Sequence, residues 1–173
     1  MEEKKNCVCC QKSKALLNCG VCDETVCKYC AHFLDEGQFS FLAKVPSLLS
    51  HSTYCPSCYD QNVAAPLQDY NQAMAQAKDI LVFEKKQGKE TRLIKRLEEP
   101  VTVTDCPDPA ETVLRLAFFA VKAGYNAIVD VQVKHEKVKN GSYQTMRWSG
   151  TGVPAYVNEA KLAKDRSAWQ NPN

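Results

Sequence analysis

Apolar residues are distributed differently in the two parts of this 173-residue chain. Residues 1–60 are poor in core-forming side chains, whereas the residues after them carry the repeating apolar positions that are typical of helices and strands. A segment as short as residues 1–60 needs another source of folding free energy, because its apolar side chains bury little surface. The second part is expected to have a hydrophobic core of its own.

The clearest predicted helix begins after Asp108. Asp108 suits the N-cap position, Pro109 suits the first helical position and Glu111 suits a capping box. Gly124 suits the C-terminal end. The predicted apolar face of this helix comprises Val113, Leu114, Ala117, Phe118, Ala120 and Val121. The pattern predicts one amphipathic helix that packs on a sheet.

Strand patterns flank this helix on both sides. Before it, strands are predicted at residues 80–83, 92–97 and 101–103. After it, apolar and polar residues alternate over 127–134, and Asn140-Gly141 predicts a hairpin turn into a partner strand at 142–151. The predicted fold class is therefore α+β, with an antiparallel sheet and one packed helix in the C-terminal domain.

The segment between the two parts is predicted to be a linker helix. Leu67, Tyr70, Met74 and Ala77 recur at three- and four-residue steps and form one narrow apolar stripe. The predicted organisation is a first domain at residues 1–62, the linker helix at 63–78, an α+β domain at 79–157 and a polar tail at 158–173.

Cysteine spacing predicts what holds the first domain together. Eight of the ten cysteines form four Cys-x-x-Cys pairs, namely Cys7/Cys10, Cys19/Cys22, Cys27/Cys30 and Cys55/Cys58. A two-residue gap lets both sulfurs of a pair face one zinc ion. Four pairs supply ligands for two closed four-cysteine sites, so the predicted cofactor is zinc, two ions per chain, in a structural role.

The gaps between the pairs indicate which pairs share an ion. Only four residues, 23–26, separate the second pair from the third, so these two pairs are poorly placed to bind the same zinc. This favours interleaved sites, with Cys7, Cys10, Cys27 and Cys30 on the first zinc and Cys19, Cys22, Cys55 and Cys58 on the second. Two sequential sites, each built from neighbouring pairs, remain an alternative that spacing does not exclude.

A disulfide framework is the other use that ten cysteines could have. Residues 1–6 are charged, no apolar segment of a secretory signal follows them, and no apolar run reaches the length of a membrane span. These features predict a cytoplasmic protein, and a reducing compartment favours zinc over disulfides. Cys9 could compete with Cys10 as a ligand, and Cys106 is interpreted as a lone thiol.

Other residues near the cysteines are interpreted as packing residues. His32 and His51 lie close enough in sequence to replace a ligand, although eight cysteines already suffice. An apolar cluster lies in the long loop before the last pair and comprises Phe39, Phe41, Leu42, Val45, Leu48 and Leu49. It is predicted to pack over the zinc core, and an exposed partner-binding surface is the alternative.

Charge limits the partners of the first domain. Residues 1–60 contain 6 Lys, no Arg and 7 acidic residues. Two zinc ions would not offset eight thiolates, so filling both sites makes this domain more negative. Nucleic acids and anionic lipids require clustered Lys and Arg, so we expect neither to bind here.

The sequence from Cys19 to Cys30 resembles the middle of a FYVE zinc finger. That family also has a four-residue gap between these pairs and an apolar residue before its fifth cysteine, matched here by Val26. The resemblance covers about residues 5–75 and implies the cross-brace of two zinc ions that FYVE, PHD and RING domains share.

The same resemblance weighs against lipid binding. FYVE fingers bind phosphatidylinositol 3-phosphate through basic residues around the third cysteine, where this chain has Leu16-Leu17-Asn18-Cys19-Gly20. A phosphoinositide-binding FYVE domain is therefore only an alternative. Cys55-Pro56-Ser57-Cys58 resembles the end of a RING domain, and a RING-like ubiquitin ligase module is a second alternative.

The C-terminal domain resembles the YbjQ-like family of small bacterial proteins. The resemblance lies in the segment from Ala123 to Val131 and, more loosely, in Gly150-Thr151-Gly152-Val153. That family is associated with heavy-metal binding and forms symmetric oligomers, so the resemblance implies a homo-oligomer formed through this domain.

The motifs indicate binding rather than catalysis. The chain has no nucleophile motif, no phosphate-binding glycine loop and no open His/Glu metal set. The predicted function is a non-enzymatic zinc-binding adaptor whose partner is an unidentified protein.

Overall fold

Two different kinds of structure follow one another along the chain. The computed structural model describes residues 6–13 and 15–160. Cα proximity divides the chain into two units, Met1–Gln72 and Ala73–Asn173, and the division falls inside the predicted linker helix. The predicted domain boundaries at 62 and 79 stay a prediction. Most of the predicted polar tail, residues 161–173, lies outside the described residues.

The first unit contains very short strands. β1 is Leu17–Asn18, β2 is Thr25–Val26, β3 is His32–Phe33 and β4 is Thr53–Tyr54. β1 pairs with β2 and β3 pairs with β4, both antiparallel. A single 3₁₀ turn, Ser47–Leu49, lies between β3 and β4. Two-residue strands contribute few ladder hydrogen bonds, so they do not explain by themselves why this unit folds.

Two helices follow β4, and the first of them begins inside the last cysteine pair. α1 is Pro56–Asn62 and α2 is Ala64–Asp79. α1 begins earlier than the sequence pattern indicated, because Cys55 is its N-cap and Pro56 occupies its first turn. The predicted linker helix corresponds to α2, and its apolar stripe includes the buried side chains of Tyr70 and Ala77.

The apolar loop before β4 packs on α2. Phe39, Phe41 and Leu49 are buried. The ring of Phe39 meets that of Tyr70 edge-on at 5.2 Å between centroids, and the Phe41 amide donates to the Tyr70 hydroxyl at 3.4 Å. These contacts show packing on α2, and packing over the zinc core stays a prediction. Leu48 keeps 45% of its surface exposed.

The second unit contains a four-stranded sheet and one helix. β5 is Leu81–Glu84, β6 is Val101–Cys106, α3 is Pro109–Lys122, β7 is Ala127–Asn140 and β8 is Tyr143–Ala155. The strand order is β5-β7-β8-β6. β7 and β6 are antiparallel to β8, whereas β5 is parallel to β7. The α+β class is confirmed, and the sheet is mixed rather than wholly antiparallel.

The predicted strand at 92–97 is wrong, and its absence explains the mixed sheet. Arg96 donates from Nη1 to the carbonyls of Thr91 and Ile94, at 3.1 and 2.9 Å, which holds this segment in turns. Without a return strand, β5 cannot form a hairpin and joins β7 through a long connection. Arg96 also pairs with Asp130, at a bulge of β7 where Asp130 has a φ of 55°.

α3 packs on the sheet as the sequence predicted. Asp108 is the N-cap and accepts the Glu111 amide at 2.7 Å, while Gly124 ends the helix with a φ of 86°. The core under α3 comprises Val103, Cys106, Leu116, Ala120, Ile128 and Val131. Gly150 of β8 lets the helix approach, because an added Cβ would lie 2.6 Å from the Thr112 methyl carbon.

β7 and β8 form a longer hairpin than the pattern indicated. The predicted hairpin is confirmed, with its turn one residue further on, at 141–142, because Asn140 pairs with Tyr143; Gly141 has a φ of 62°. The strands extend to residues 140 and 155, beyond their predicted ends at 134 and 151. No helix within residues 6–13 and 15–160 is long and apolar enough to cross a bilayer.

Candidate metal centre

All four cysteine pairs of the first unit fold into the same closed turn. In each pair, the residue after the second cysteine donates its amide to the carbonyl of the first cysteine, at 2.9 Å. The donors are Gln11, Asp23, Ala31 and Tyr59, and the acceptors are Cys7, Cys19, Cys27 and Cys55. A turn of this length directs both sulfurs of a pair to one side, as a shared metal requires.

Two of these turns end in left-handed residues. Gln11 has a φ of 58° and Asp23 has a φ of 59°. Few residues other than glycine adopt this conformation, so the turn is held by its surroundings. The Asp23 side chain also accepts a hydrogen bond, through Oδ1, from Nδ2 of the Asn18 side chain at 3.3 Å.

The short strands place the turns relative to one another. β1 leads directly into Cys19, β2 into Cys27 and β4 into Cys55. The Val8 amide donates to the Thr25 carbonyl and the Gly20 amide donates to the Thr53 carbonyl, both at 2.9 Å. The first pair is therefore fixed beside β2, and the second pair beside β4.

The sulfurs meet in two interleaved clusters. Cluster 1 comprises Cys7, Cys10, Cys27 and Cys30, and cluster 2 comprises Cys19, Cys22, Cys55 and Cys58; within each cluster all four sulfurs lie within 4.8 Å of one another. These are the predicted ligand sets of the first and second zinc. The structure brings together the first pair with the third and the second pair with the fourth, and it does not bring neighbouring pairs together.

The sulfur spacing fits zinc. The distance from Cys10 Sγ to Cys27 Sγ is 3.8 Å, and so is the distance from Cys22 Sγ to Cys55 Sγ. A tetrahedral zinc ion with bonds of about 2.3 Å separates its sulfur ligands by about 3.8 Å. Backbone amides supply a second shell, since Cys27 N–H donates to Cys7 Sγ at 3.3 Å and Cys58 N–H donates to Cys55 Sγ at 3.5 Å.

The pKa values of the thiols show why such clusters need a cation. Hydrogen bonds from the backbone of Cys10 and Cys27 lower the pKa of Cys7 to about 6. Although burial opposes it, the backbone of Cys22 and Cys55 lowers the pKa of Cys19 to about 6. The side chains of Cys27 and Cys10 instead raise the pKa of Cys30. Four thiolates this close repel one another unless a dication neutralises them.

The remaining cysteines lie outside both clusters. Cys9 is exposed, and the sulfur of Cys10 rather than that of Cys9 belongs to cluster 1. Cys106 is buried in the core of the second unit, where its thiol donates to the Thr104 carbonyl at 3.6 Å. These placements agree with the interpretation of Cys106 as an inert thiol.

Both candidate histidines pack against tyrosines. The ring of His32 stacks on that of Tyr59 with 4.2 Å between centroids. The ring of His51 meets that of Tyr54 edge-on at 6.1 Å. Neither histidine belongs to a cluster of potential ligands in the described part of the chain.

Sequence reasoning missed the support that His51 and Tyr54 give to cluster 2. Tyr54 is fully buried, accepts the His51 amide at 3.1 Å and donates to the Leu48 carbonyl at 3.0 Å. His51 lies so close to Gly20 that an added Cβ would be 2.3 Å from its ring. The glycine inside the second cysteine pair was the signal that could have indicated this approach.

Three exposed apolar side chains lie within or near the cysteine pairs. Val8 lies inside the first cysteine pair and Tyr29 inside the third, and they expose 38% and 86% of their surface. Leu16, just before β1, is 87% exposed. Lys28 Nζ lies 5.0 Å from the centre of the Tyr29 ring. We call Val8, Leu16 and Tyr29 the knuckle surface.

Comparison with known proteins does not identify the chain. A scan against family models, a search of curated proteins and a search of solved structures each found no match. The FYVE-like, RING-like and YbjQ-like resemblances are therefore not supported beyond the paired cysteine clusters, which are compatible with a two-zinc cross-brace.

Proposed function

We propose that this protein is a non-enzymatic adaptor whose first unit is built on two structural zinc ions. The observation that carries the proposal is the interleaving of two complete four-sulfur clusters. Four cysteine ligands fill the coordination sphere of zinc and leave no position for a substrate or an activated water. A closed site of this kind stabilises a fold rather than performing a reaction.

The knuckle surface is the proposed protein-binding surface. Large apolar side chains that stay exposed on a small module are typical of contact sites. Tyrosine is also common among the residues that dominate binding energy at interfaces. Val8 and Tyr29 lie inside the two cysteine pairs of cluster 1, so zinc would hold these side chains in a fixed arrangement and reduce the entropic cost of binding.

The lipid and ubiquitin-transfer alternatives share the cross-brace and are separated by other features. Lys12 is an exposed cation beside the first cysteine pair, and Lys14 lies outside the described residues. No arginine occurs in residues 1–60, which weakens the case for phosphoinositide binding. A ubiquitin-discharge assay with purified conjugating enzymes distinguishes an adaptor from a ligase.

We also propose a cytoplasmic location, since thiolate zinc sites persist in reducing compartments.

Native mass spectrometry of the full chain, purified without chelator, tests the zinc proposal. We expect two zinc ions per chain in the unmodified protein and one in the Cys30→Ser or Cys58→Ser variant, because each removes one ligand from one cluster. A Cys9→Ser variant is the matched control and should keep two. One zinc or none in the unmodified protein would contradict the proposal. The same spectra report the subunit number and so test the proposed homo-oligomer.

The adaptor proposal needs a separate measurement. Partners captured in the source organism are quantified for the unmodified chain and for a Leu16→Ser/Tyr29→Ser variant that retains two zinc ions. A Tyr156→Ser variant is the control, since Tyr156 is 72% exposed but belongs to the second unit. Loss of a specific partner only in the Leu16/Tyr29 variant supports the proposal. An unchanged set of partners contradicts it, even if both zinc ions are present.

A further inference from the structure

The hairpin of β7 and β8 extends past the rest of its sheet. The last pair between β5 and β7 is Glu84↔Val131, and the last pair between β6 and β8 is Cys106↔Trp148. Beyond Trp148, β7 and β8 pair only with each other over the five rungs from 136↔147 to 140↔143. Five rungs extend about 17 Å, at about 3.4 Å per residue. We call residues 134–149, which comprise these five rungs and the two rungs before them, the ribbon arm.

The ribbon arm concentrates positive charge. Its 16 residues contain three Lys, one Arg and one Glu, so its net charge is +3 with His135 neutral, whereas the whole chain has +2. Its four cations, Lys134, Lys137, Lys139 and Arg147, are all exposed. Arg147 approaches Asp105 at 3.2 Å, but Asp105 is largely exposed, so this pair neutralises little.

The cations lie on both faces of the arm. Side chains alternate between the two faces of a strand, and directly paired residues share a face. The pairing 136↔147 therefore places Lys134 and Arg147 on one face, and Lys137 and Lys139 lie on the opposite face. The second face also carries Met146, and Trp148 with its ring 4.8 Å from that of His135.

The tip of the arm is narrow and ends in an aromatic residue. The turn contains Gly141, which has no side chain, and Ser142, whose side chain is small. Tyr143, the first residue of β8, exposes 80% of its surface, and Met146 exposes 48%. The tip therefore presents one exposed ring beside a small turn, and the Met146 thioether lies three rungs further back.

We propose that the ribbon arm binds double-stranded nucleic acid by inserting into a groove. Two strands about 4.8 Å apart fit a B-DNA major groove about 12 Å wide. A groove has phosphates along both walls, so it can pair with cations on both faces of the arm at once. A flat acidic protein surface or an anionic membrane would contact only one face, so the charge distribution favours a duplex.

This inference goes beyond the adaptor function. The expectation that the protein binds no nucleic acid rested on the acidic character of residues 1–60. The ribbon arm belongs to the other unit and carries the opposite charge. The two proposals are independent, because loss of the knuckle surface leaves the arm unchanged.

The proposal is tested by fluorescence anisotropy of a labelled 24-base-pair DNA duplex, titrated with the full zinc-loaded chain. If all four cations contact phosphates, the logarithm of the affinity should fall against the logarithm of the salt concentration with a slope of about −3.6. That slope corresponds to a loss of roughly 150-fold between 50 and 200 mM salt. No binding to the duplex at 50 mM salt overturns the proposal.

A matched pair of variants separates the arm from general charge. Lys137→Ala/Lys139→Ala should weaken binding at least tenfold at 50 mM salt and reduce the slope to about −1.8. Lys89→Ala/Lys95→Ala removes the same charge from exposed positions of the second unit and should change the affinity less than twofold. An equal loss in both variants overturns the proposal.

Two further measurements complete the test. The urea midpoint should be the same in both double variants, and if the arm variant is less stable, the single Lys139→Gln change replaces it. Vesicles containing phosphatidylserine and soluble polyglutamate serve as competing polyanions at equal charge. If either competitor displaces the labelled duplex as effectively as unlabelled duplex does, the arm binds acidic surfaces in general, and the duplex proposal is overturned.

Discussion

The two units of this chain reach a fixed structure by different physical means. The first has two-residue strands, and the buried cluster at its centre is made largely of cysteines, including Cys7, Cys19 and Cys55. The second has strands of up to 14 residues and a core of aliphatic side chains around Leu116 and Ile128. Metal–ligand bonds are strong and local, whereas apolar burial is weak per contact and distributed over many residues. The difference predicts that each unit fails under a different perturbation.

Zinc removal should have the largest effect, and it should affect one unit only. A strong chelator is expected to unfold the first unit, because structural zinc contributes about 10 kcal/mol or more to domains of this type. Hydrogen exchange followed by mass spectrometry should then show β1 to β4 losing protection while α3, β7 and β8 keep theirs. Chelator already saturated with zinc is the control. Protected amides in β1 and β2 at zero zinc content would refute the distinction between the two units.

A cavity in the second core should produce the opposite pattern. Leu116 lies on the buried face of α3 and is fully buried, so Leu116→Ala should lower the unfolding free energy of the second unit by about 2–5 kcal/mol. The exposed Leu97, at 80%, provides the matched control, and Leu97→Ala should change stability little. Urea unfolding measures the loss, and native mass spectrometry should still count two zinc ions. A reduced zinc content in the Leu116 variant would show that the units depend on each other.

In both units, the sequence predicted the features that depend on residues close together in the chain. The cysteine pairs are local signals, and the ligand sets that spacing favoured are the sets that the structure brings together. The helix after Asp108 is also encoded locally, through its cap, its proline and its apolar face. In both cases the residues that define the element are close in sequence.

The sequence was less informative where contacts between residues far apart in the chain decide the conformation. The segment 92–97 has strand-like composition, but Arg96 binds Asp130, 34 residues away, and holds the segment in turns. The sequence also gave no indication that Phe39 contacts Tyr70, 31 residues further on. Side chains that meet across such distances leave no periodic signal in either segment.

A Gly→Ala substitution can be made in each unit, so the stabilities of the two units can be compared after the same chemical change. Gly20→Ala places a methyl group against the His51 ring beside cluster 2, and Gly150→Ala places one against Thr112 under α3. Each should cost about 1–3 kcal/mol in its own unit, because packed side chains have little room to move. Hydrogen exchange locates the loss. Combining Gly20→Ala with His51→Ala should recover part of it, and the absence of any recovery would exclude the His51 contact as the cause.

The smallest effect that we predict concerns the Arg96–Asp130 pair of the second unit. Arg96 Nε lies 2.5 Å from Asp130 Oδ2, and Arg96 Nη2 lies 2.9 Å from Oδ1, so the carboxylate is held by two hydrogen bonds. These bonds lower the pKa of Asp130. Asp130→Asn keeps a residue that tolerates the φ of 55° and removes the charge. At pH 7 we expect a loss of roughly 1–2 kcal/mol.

The sign of the pH dependence provides the sharper test. Because the pKa of Asp130 is lower in the folded chain than in the unfolded chain, the unfolded chain binds more protons as the pH falls. The stabilisation is therefore complete above the ordinary Asp pKa of about 3.9 and is lost as the pH falls through the folded value. Urea unfolding followed by tryptophan fluorescence from pH 7 to pH 3 should show the unmodified chain and Asp130→Asn converging. Asp105→Asn is the matched control, since Asp105 also has a positive φ, of 58°, and an arginine partner at 3.2 Å, but its side chain is 73% exposed. If the control loses as much stability as Asp130→Asn, the lower solvent exposure of the Arg96–Asp130 pair does not make it the stronger of the two pairs.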